Sequence, residues 1–183
     1  MQSISALLLM TAAIFCSVLI ANSQSFGQGQ RTAILESRVV DKLTGADNYT
    51  LAAYSFEKGA NGPEAFSVTC SVWDIYFYTY RRNDGLVVKD VLDVSMVVDD
   101  RSRIKDLGPL EWNALGKLPR LAAYESAARE KPVEAIVGHI YLVHTADRDS
   151  DTYTLFRVDE LISGERVSIT WIPSYLVQGI LKY

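Results

Sequence analysis

The sequence predicts a β-rich α+β fold of mostly antiparallel sheet, with one clear helix near residues 120–130 and a C-terminal three-strand meander. Three observations predict it. Apolar Phe66, Val68, Cys70 and Val72 alternate with Ser67, Thr69 and Ser71, the period of a half-buried strand, and β-prone runs recur between turn signals. Residues 120–130 combine Ala, Leu, Arg and Glu between Pro119 and Pro132, a helix-forming composition with proline near its start. Strands stand before and after that helical middle instead of alternating with helices, which separates α+β from α/β.

Taken in order, residues 4–21 are free of charge and read as the apolar region of an export signal, with Ala21 and Ser23 fitting a small-residue cleavage site. Residues 1–23 are therefore expected to be a signal peptide, 24–31 a flexible Gly-containing leader and 32–183 one globular domain. The competing reading is an uncleaved anchor through residues 4–21, because ~18 apolar residues just span a bilayer. No Lys or Arg precedes Arg31, and Ser5, Thr11 and Ser17 dilute the run, so export to a periplasmic or extracellular space is preferred. Phe15 before Cys16 argues against lipidation. If residues 1–23 leave, Cys70 is the remaining cysteine, no intrachain disulfide forms, and stability rests on the core.

Residues 33–43 read either way: Leu35, Val39 and Leu43 keep an i+4 spacing, while Arg38-Val39-Val40 suits a strand. A turn at 44–48 precedes an expected strand at 50–56 and a second turn at 57–63. The aromatic run 74–80 is closed by Asn83-Asp84-Gly85, a hairpin signal, with Leu86-Val87-Val88 returning and 91–98 as another β-branched segment. Arg101, Arg103 and Lys105 alternate between Asp100 and Asp106, as in a solvated edge strand or loop. In the expected helix Glu125 and Arg129 stand at i,i+4. Strands at 133–145, 151–160 and 166–172, joined by short connections, make the meander.

The formal net charge of −4 speaks against nucleic acid, whose partners carry a basic footprint. No Gly-x-Ser-x-Gly elbow, phosphate-cradling loop or zinc spacing is present, and no cofactor is expected. His139 and His144 lie an odd number of residues apart in one strand, so their side chains diverge. Cys70 has no local positive charge to activate it and reads as a small buried hydrophobe. Asn48-Tyr49-Thr50 matches a glycosylation acceptor pattern that matters only in a eukaryotic secretory pathway.

Two groups carry the binding chemistry. Tyr76, Tyr78 and Tyr80 share one strand face beside Arg81 and Arg82, suited to stacking on a sugar or other planar ligand, or to covering a central sheet. Asp147, Asp149 and Asp151 alternate like the start of a calcium loop, but Thr152 and Val158 replace the Gly and Glu that an EF-hand needs. A different calcium turn would require Asp159 or Glu160 to reach back; a solvated turn is the simpler reading.

The stretch Gly138-His139-Ile140-Tyr141-Leu142-Val143-His144, continuing through the acidic turn to Val158, resembles exported bacterial proteins of uncharacterised function. The resemblance runs over residues 138–171 and implies a bacterial envelope or extracellular setting, with no activity and no site residues. The expected function is a non-enzymatic module binding an unidentified protein or small-molecule partner, with membrane contact only through residues 4–21 if uncleaved. The alternative is a hydrolase of envelope or extracellular polymer using two carboxylates among Asp147, Asp149, Asp151 and Glu160. A third reading is a small barrel or sandwich enclosing an apolar ligand.

Overall fold

In the computed structural model, which describes residues 29–40, 43–61, 73–94, 102–117, 132–146, 151–173 and 177, strands dominate. They are β1 (Arg31–Glu36), β2 (Ala53–Ser55), β3 (Ala60–Asn61), β4 (Ile75–Arg81), β5 (Val87–Val94), β6 (Arg103–Pro109), β7 (Val133–Glu134), β8 (His139–Ala146), β9 (Asp151–Ile162) and β10 (Arg166–Ile172). A one-turn helix α1 (Tyr49–Ala52) and a 3-10 helix (Trp112–Lys117) complete the described elements. The strands form two antiparallel sheets, the first in the order β1-β10-β9-β8-β6 and the second in the order β3-β2-β4-β5-β7.

The two sheets pack face to face because alternate positions on each are apolar. Leu35, Ile104, Tyr141, Val143, Phe156, Val158, Val167, Ile169 and Trp171 of the first sheet meet Tyr54, Ile75, Phe77, Leu92, Val94 and Val133 of the second, with Phe56 just after β2, in one core. Aromatic rings bridge the sheets: Phe56 lies 5.2 Å from Trp171 and stacks at 6.0 Å on Phe156, which stacks at 5.0 Å on Tyr141. Each such side chain contributes roughly 1.5–3 kcal/mol through its burial. Phe56, Phe156 and Tyr141, rings of the kind an apolar-ligand cavity would use as lining, are packed on one another. A second cluster covers the outer face of the first sheet, where Trp112 and Leu115 of the 3-10 helix pack on Ile140, Leu142, Leu155 and Ile172.

Buried carboxylates tie the sheets together at two places. Asp90 on β5 accepts hydrogen bonds from Thr79 Oγ1 (2.6 Å), from Ser163 Oγ (2.6 Å) and from Gly164 N (3.0 Å) in the β9–β10 turn of the other sheet. Asp74, just before β4, accepts from Phe56 N (2.6 Å) and from Thr145 Oγ1 (2.7 Å) on β8. The turn at Gly164 is confined: with φ at +78°, an added Cβ would stand 2.6 Å from Arg81 Nη2 and 2.8 Å from Val87 Cγ2.

The β9–β10 connection, and the β8–β9–β10 meander with it, is as the sequence predicts. Arg103 and Lys105 do lie on an edge strand, β6. Of the two readings of residues 33–43, strand holds for 33–36, in β1, and beyond it Val40 bridges Asp47. Three segments differ. The expected strand at 50–56 begins as helix α1, because the Asn48 side chain is engaged with Ser37 O (3.0 Å) and Val39 N (2.6 Å) and draws the chain into a turn. The expected strand at 133–145 breaks at Val137-Gly138, where Gly138 has φ +82°, so β7 joins one sheet and β8 the other. The segments at 86–88 and 91–98 instead meet in one strand, β5, over Val87–Val94, and residues 95–98 lie outside the described residues. Residues 4–21, the strand at 66–72 with Cys70, and the helix at 120–130 lie outside the described residues.

Asp90→Ala would leave two hydroxyls and one backbone N–H without their acceptor, at a cost of about 2–4 kcal/mol. The expected readout is a lower urea midpoint with an unchanged slope. Gly164→Ala is expected to destabilise as well, by about 1–3 kcal/mol, through its positive φ and its contact with Arg81 and Val87.

Candidate functional site: the aromatic face of the second sheet

Because Ile75 and Phe77 of β4 enter the core, Tyr76, Tyr78 and Tyr80 face outward. The structure brings all three sequence-predicted tyrosines together in one row. Tyr76 and Tyr78 stack at 5.1 Å and 17°, and Tyr78 meets Tyr80 edge-on at 5.1 Å. The row extends inward: Trp73 stands 5.0 Å from Tyr76 and 5.4 Å from Tyr49, both edge-on. The Arg38 guanidinium lies 4.8 Å from the centre of the Tyr49 ring and pairs with Asp47 at 2.7 Å. The Tyr76 hydroxyl donates to Asp93 Oδ2 (3.2 Å), and the Tyr78 and Tyr80 hydroxyls are 3.1 Å apart.

Burial decides the electrostatics of this face. Desolvation, followed by the Asp93 carboxylate, pushes the Tyr76 phenol up to about 12. Desolvation also raises Tyr49 and Tyr78 well above the usual phenol range, with the Tyr80 hydrogen bond adding to the rise at Tyr78. These rings present neutral hydroxyls, not phenolates, throughout the physiological range.

Exposure increases along the row. Trp73 is 6% exposed and Tyr80 49%, next to Leu86 at 60% and Val88 at 61%. Val88 is the extra residue of a bulge: Tyr80 pairs with Lys89, and Arg81 pairs with Val87. At the hairpin tip Arg82 and Asp84 form an exposed ion pair at 3.1 Å, and Arg81 is held by Gly164 O at 2.6 Å. The face therefore ends in an exposed apolar corner rimmed by charge.

The acidic candidates behave differently. Asp147 and Asp149 lie outside the described residues. Asp151 starts β9, 82% exposed in its side chain, and accepts from or shares a proton with His144 Nε2 at 2.7 Å. His144 stacks on Tyr153 at 4.1 Å. Glu160 stands nine positions further along the same strand, about 30 Å away at the usual strand rise, so it does not reach back to Asp151. That separation keeps Asp151 and Glu160 from sharing one ion or acting as an acid/base pair. His139 instead contacts Asp106 Oδ2 at 2.9 Å and faces the core side with Tyr141, whereas His144 shares the opposite face with Leu142. Among the described residues no three of His, Cys, Asp or Glu converge to hold a metal ion, and no helix is long and apolar enough to cross a membrane.

Trp73, Tyr49, Arg38 and Asp93 belong to this face and were not singled out by sequence. A register count back from the Asn83-Asp84-Gly85 loop comes close to finding Asp93. Without the Val88 bulge, Tyr76 would fall opposite Leu92; the extra residue moves Asp93 into that place. Tyr49 and Arg38 arrive from distant sequence, and no local pattern marks them.

Fold and face together define an antiparallel β-sandwich with an aromatic outer face on its second sheet. Compared with protein-family models, curated proteins and solved structures, the chain finds no match.

The raised phenols couple to stability. In the unfolded chain they lose protons near pH 10, while Tyr76 in the folded chain holds its proton to about 12, so the folded state binds more protons above pH 10. The stabilisation is complete below pH 10 and is lost as pH rises toward 12. Unfolding free energy measured by urea at pH 9 and pH 11 is expected to fall over this interval, and to fall less in Tyr76→Phe.

Proposed function

We propose that the chain is an exported, non-enzymatic module that binds a partner protein at the exposed end of the aromatic face. The observation that supports this reading is the corner formed by Tyr80, Leu86 and Val88 beside Arg82. Exposed large apolar side chains gathered at one place mark interaction surfaces more than scattered ones do, and Tyr and Arg are enriched among residues that dominate binding energy. The corner sits on a hairpin anchored through Arg81 and Asp90 to the other sheet, so it is presented by a rigid scaffold. Self-stacking of Tyr76 on Tyr78 directs their faces at each other, which favours an edge-and-hydroxyl contact surface over a platform for sugar rings.

In this reading residues 1–23 direct export and the net charge of −4 keeps nucleic acid away. The polymer-hydrolase alternative loses support from the separation of Asp151 and Glu160 along β9. The test is affinity capture from an envelope and culture extract of the source organism, comparing the natural chain with Tyr80→Ala/Val88→Asp. Both positions are exposed, so the double variant is expected to keep its fold, at a cost of about 1–2 kcal/mol that includes the lost contacts of Tyr80 with Tyr78. The expected result is a co-purifying protein whose affinity falls by about tenfold or more, which is ~1.4 kcal/mol. Equal recovery by both chains would remove this surface from the function.

A further inference from the structure

The ring contacts on the outer face of the second sheet form a chain, and the chain has a direction. It begins at buried Trp73, passes to Tyr76 at 5.0 Å, to Tyr78 at 5.1 Å and to Tyr80 at 5.1 Å, where it reaches solvent. Indole and phenol are, with thiols, the side chains most readily oxidised by one electron without a metal, and these separations are close to van der Waals contact. A phenol gives up an electron readily only if its proton has somewhere to go. Tyr76 already donates its hydrogen bond to the buried carboxylate of Asp93, and the Tyr78 and Tyr80 hydroxyls touch. Both requirements, short electron hops and local proton acceptors, are met by β4, β5 and Trp73 just before β4.

We infer that Trp73, Tyr76, Tyr78 and Tyr80 act as an oxidation relay that carries an electron hole from the interior to the surface. The oxidant is a diffusing one-electron radical, which gains an electron from Trp73 and leaves as an anion. Trp73 is refilled by an electron from Tyr76 as the phenolic proton of Tyr76 moves to Asp93. Tyr78 then supplies an electron to Tyr76 and the proton returns from Asp93. Tyr78 releases its own proton through the Tyr80 hydroxyl to water, and recovers one by that route when Tyr80 supplies the last electron. The net change is one electron from Tyr80 to the radical and one proton from Tyr80 to water. The tyrosyl radical at Tyr80 is then quenched by a hydrogen atom from a soluble thiol, or couples with the same radical on a second chain to give a carbon–carbon dityrosine link. The relay does not depend on partner binding at the neighbouring corner.

The experiment uses azide radicals generated by irradiating the full chain at neutral pH, because azide radicals take electrons from tryptophan in preference to tyrosine. Peptide mapping then quantifies oxidised Trp73 and dityrosine at Tyr80. In the natural chain dityrosine at Tyr80 is expected to dominate and Trp73 to be spared. Tyr76→Phe keeps the packed ring but cannot lose a phenolic proton; it is expected to lower the Tyr80 product several-fold and to raise Trp73 oxidation in step. Tyr80→Phe is expected to abolish the linked dimer. Should Tyr76→Phe fail to fold, Tyr78→Phe interrupts the same chain one ring further out, with the same two readouts. Unchanged yields at both Trp73 and Tyr80 in the interrupted variant would overturn the relay, since Tyr80 would then be oxidised directly from solvent.

Discussion

The packing of Ile75 and Phe77 between the two sheets is the constraint on which the rest of the structure depends. In a strand the side-chain period is two, so fixing those two residues inward fixes every other residue of β4. Tyr76, Tyr78 and Tyr80 are outward because the core already holds their neighbours. The opposing wall of that core is aromatic, with Phe156, Tyr141 and Trp171 of the first sheet meeting Phe56 and Tyr54 of the second. A one-residue slip of β4 would put tyrosine hydroxyls into this apolar space and phenylalanine into water, a change that the core strongly disfavours.

Apolar packing sets which faces meet, but it is only weakly directional. The buried carboxylates supply direction. Asp90 takes donors from β4 and from the β9–β10 turn, and Asp74 takes one from the backbone of Phe56 and one from Thr145 on β8. Each therefore fixes one sheet relative to the other at a defined place, and each would be costly to bury without those donors. The consequence reaches the surface: the β4–β5 hairpin is held through Arg81 and Asp90, so its exposed Tyr80, Leu86 and Val88 project from a fixed base.

The outer face of the second sheet combines two tendencies that pull apart. Its rings are close enough to pack on one another, which stabilises the sheet and makes phenol ionisation unfavourable. The same closeness turns the ring faces of the row toward one another and leaves its solvent end as the exposed part, where the proposed recognition would fall. A surface that is self-contained along most of its length and open at one corner suits contact with a partner, while the unbroken ring-to-ring contact suits transfer of charge. Asp106 and Asp151 each engage a different histidine on opposite faces of β8.

By itself the sequence determined the β-rich character, the C-terminal meander, the divergence of His139 from His144 and the shared face of the three tyrosines. All of these follow from period-two alternation and short turns, which act over a few neighbouring residues. Tertiary structure alone decided the pairing of β1 with β10, the division of 133–145 between two sheets, and the turn of helix at 49–52 where a strand was expected. It also decided the meeting of Trp73, Tyr49, Arg38 and Asp93 with the tyrosine row, and the distance of Glu160 from Asp151. The physical reason is range. Alternation records which side of a strand is buried, but it carries no information on which strand lies beside it, and a single bulged residue such as Val88 changes every cross-strand partner beyond it.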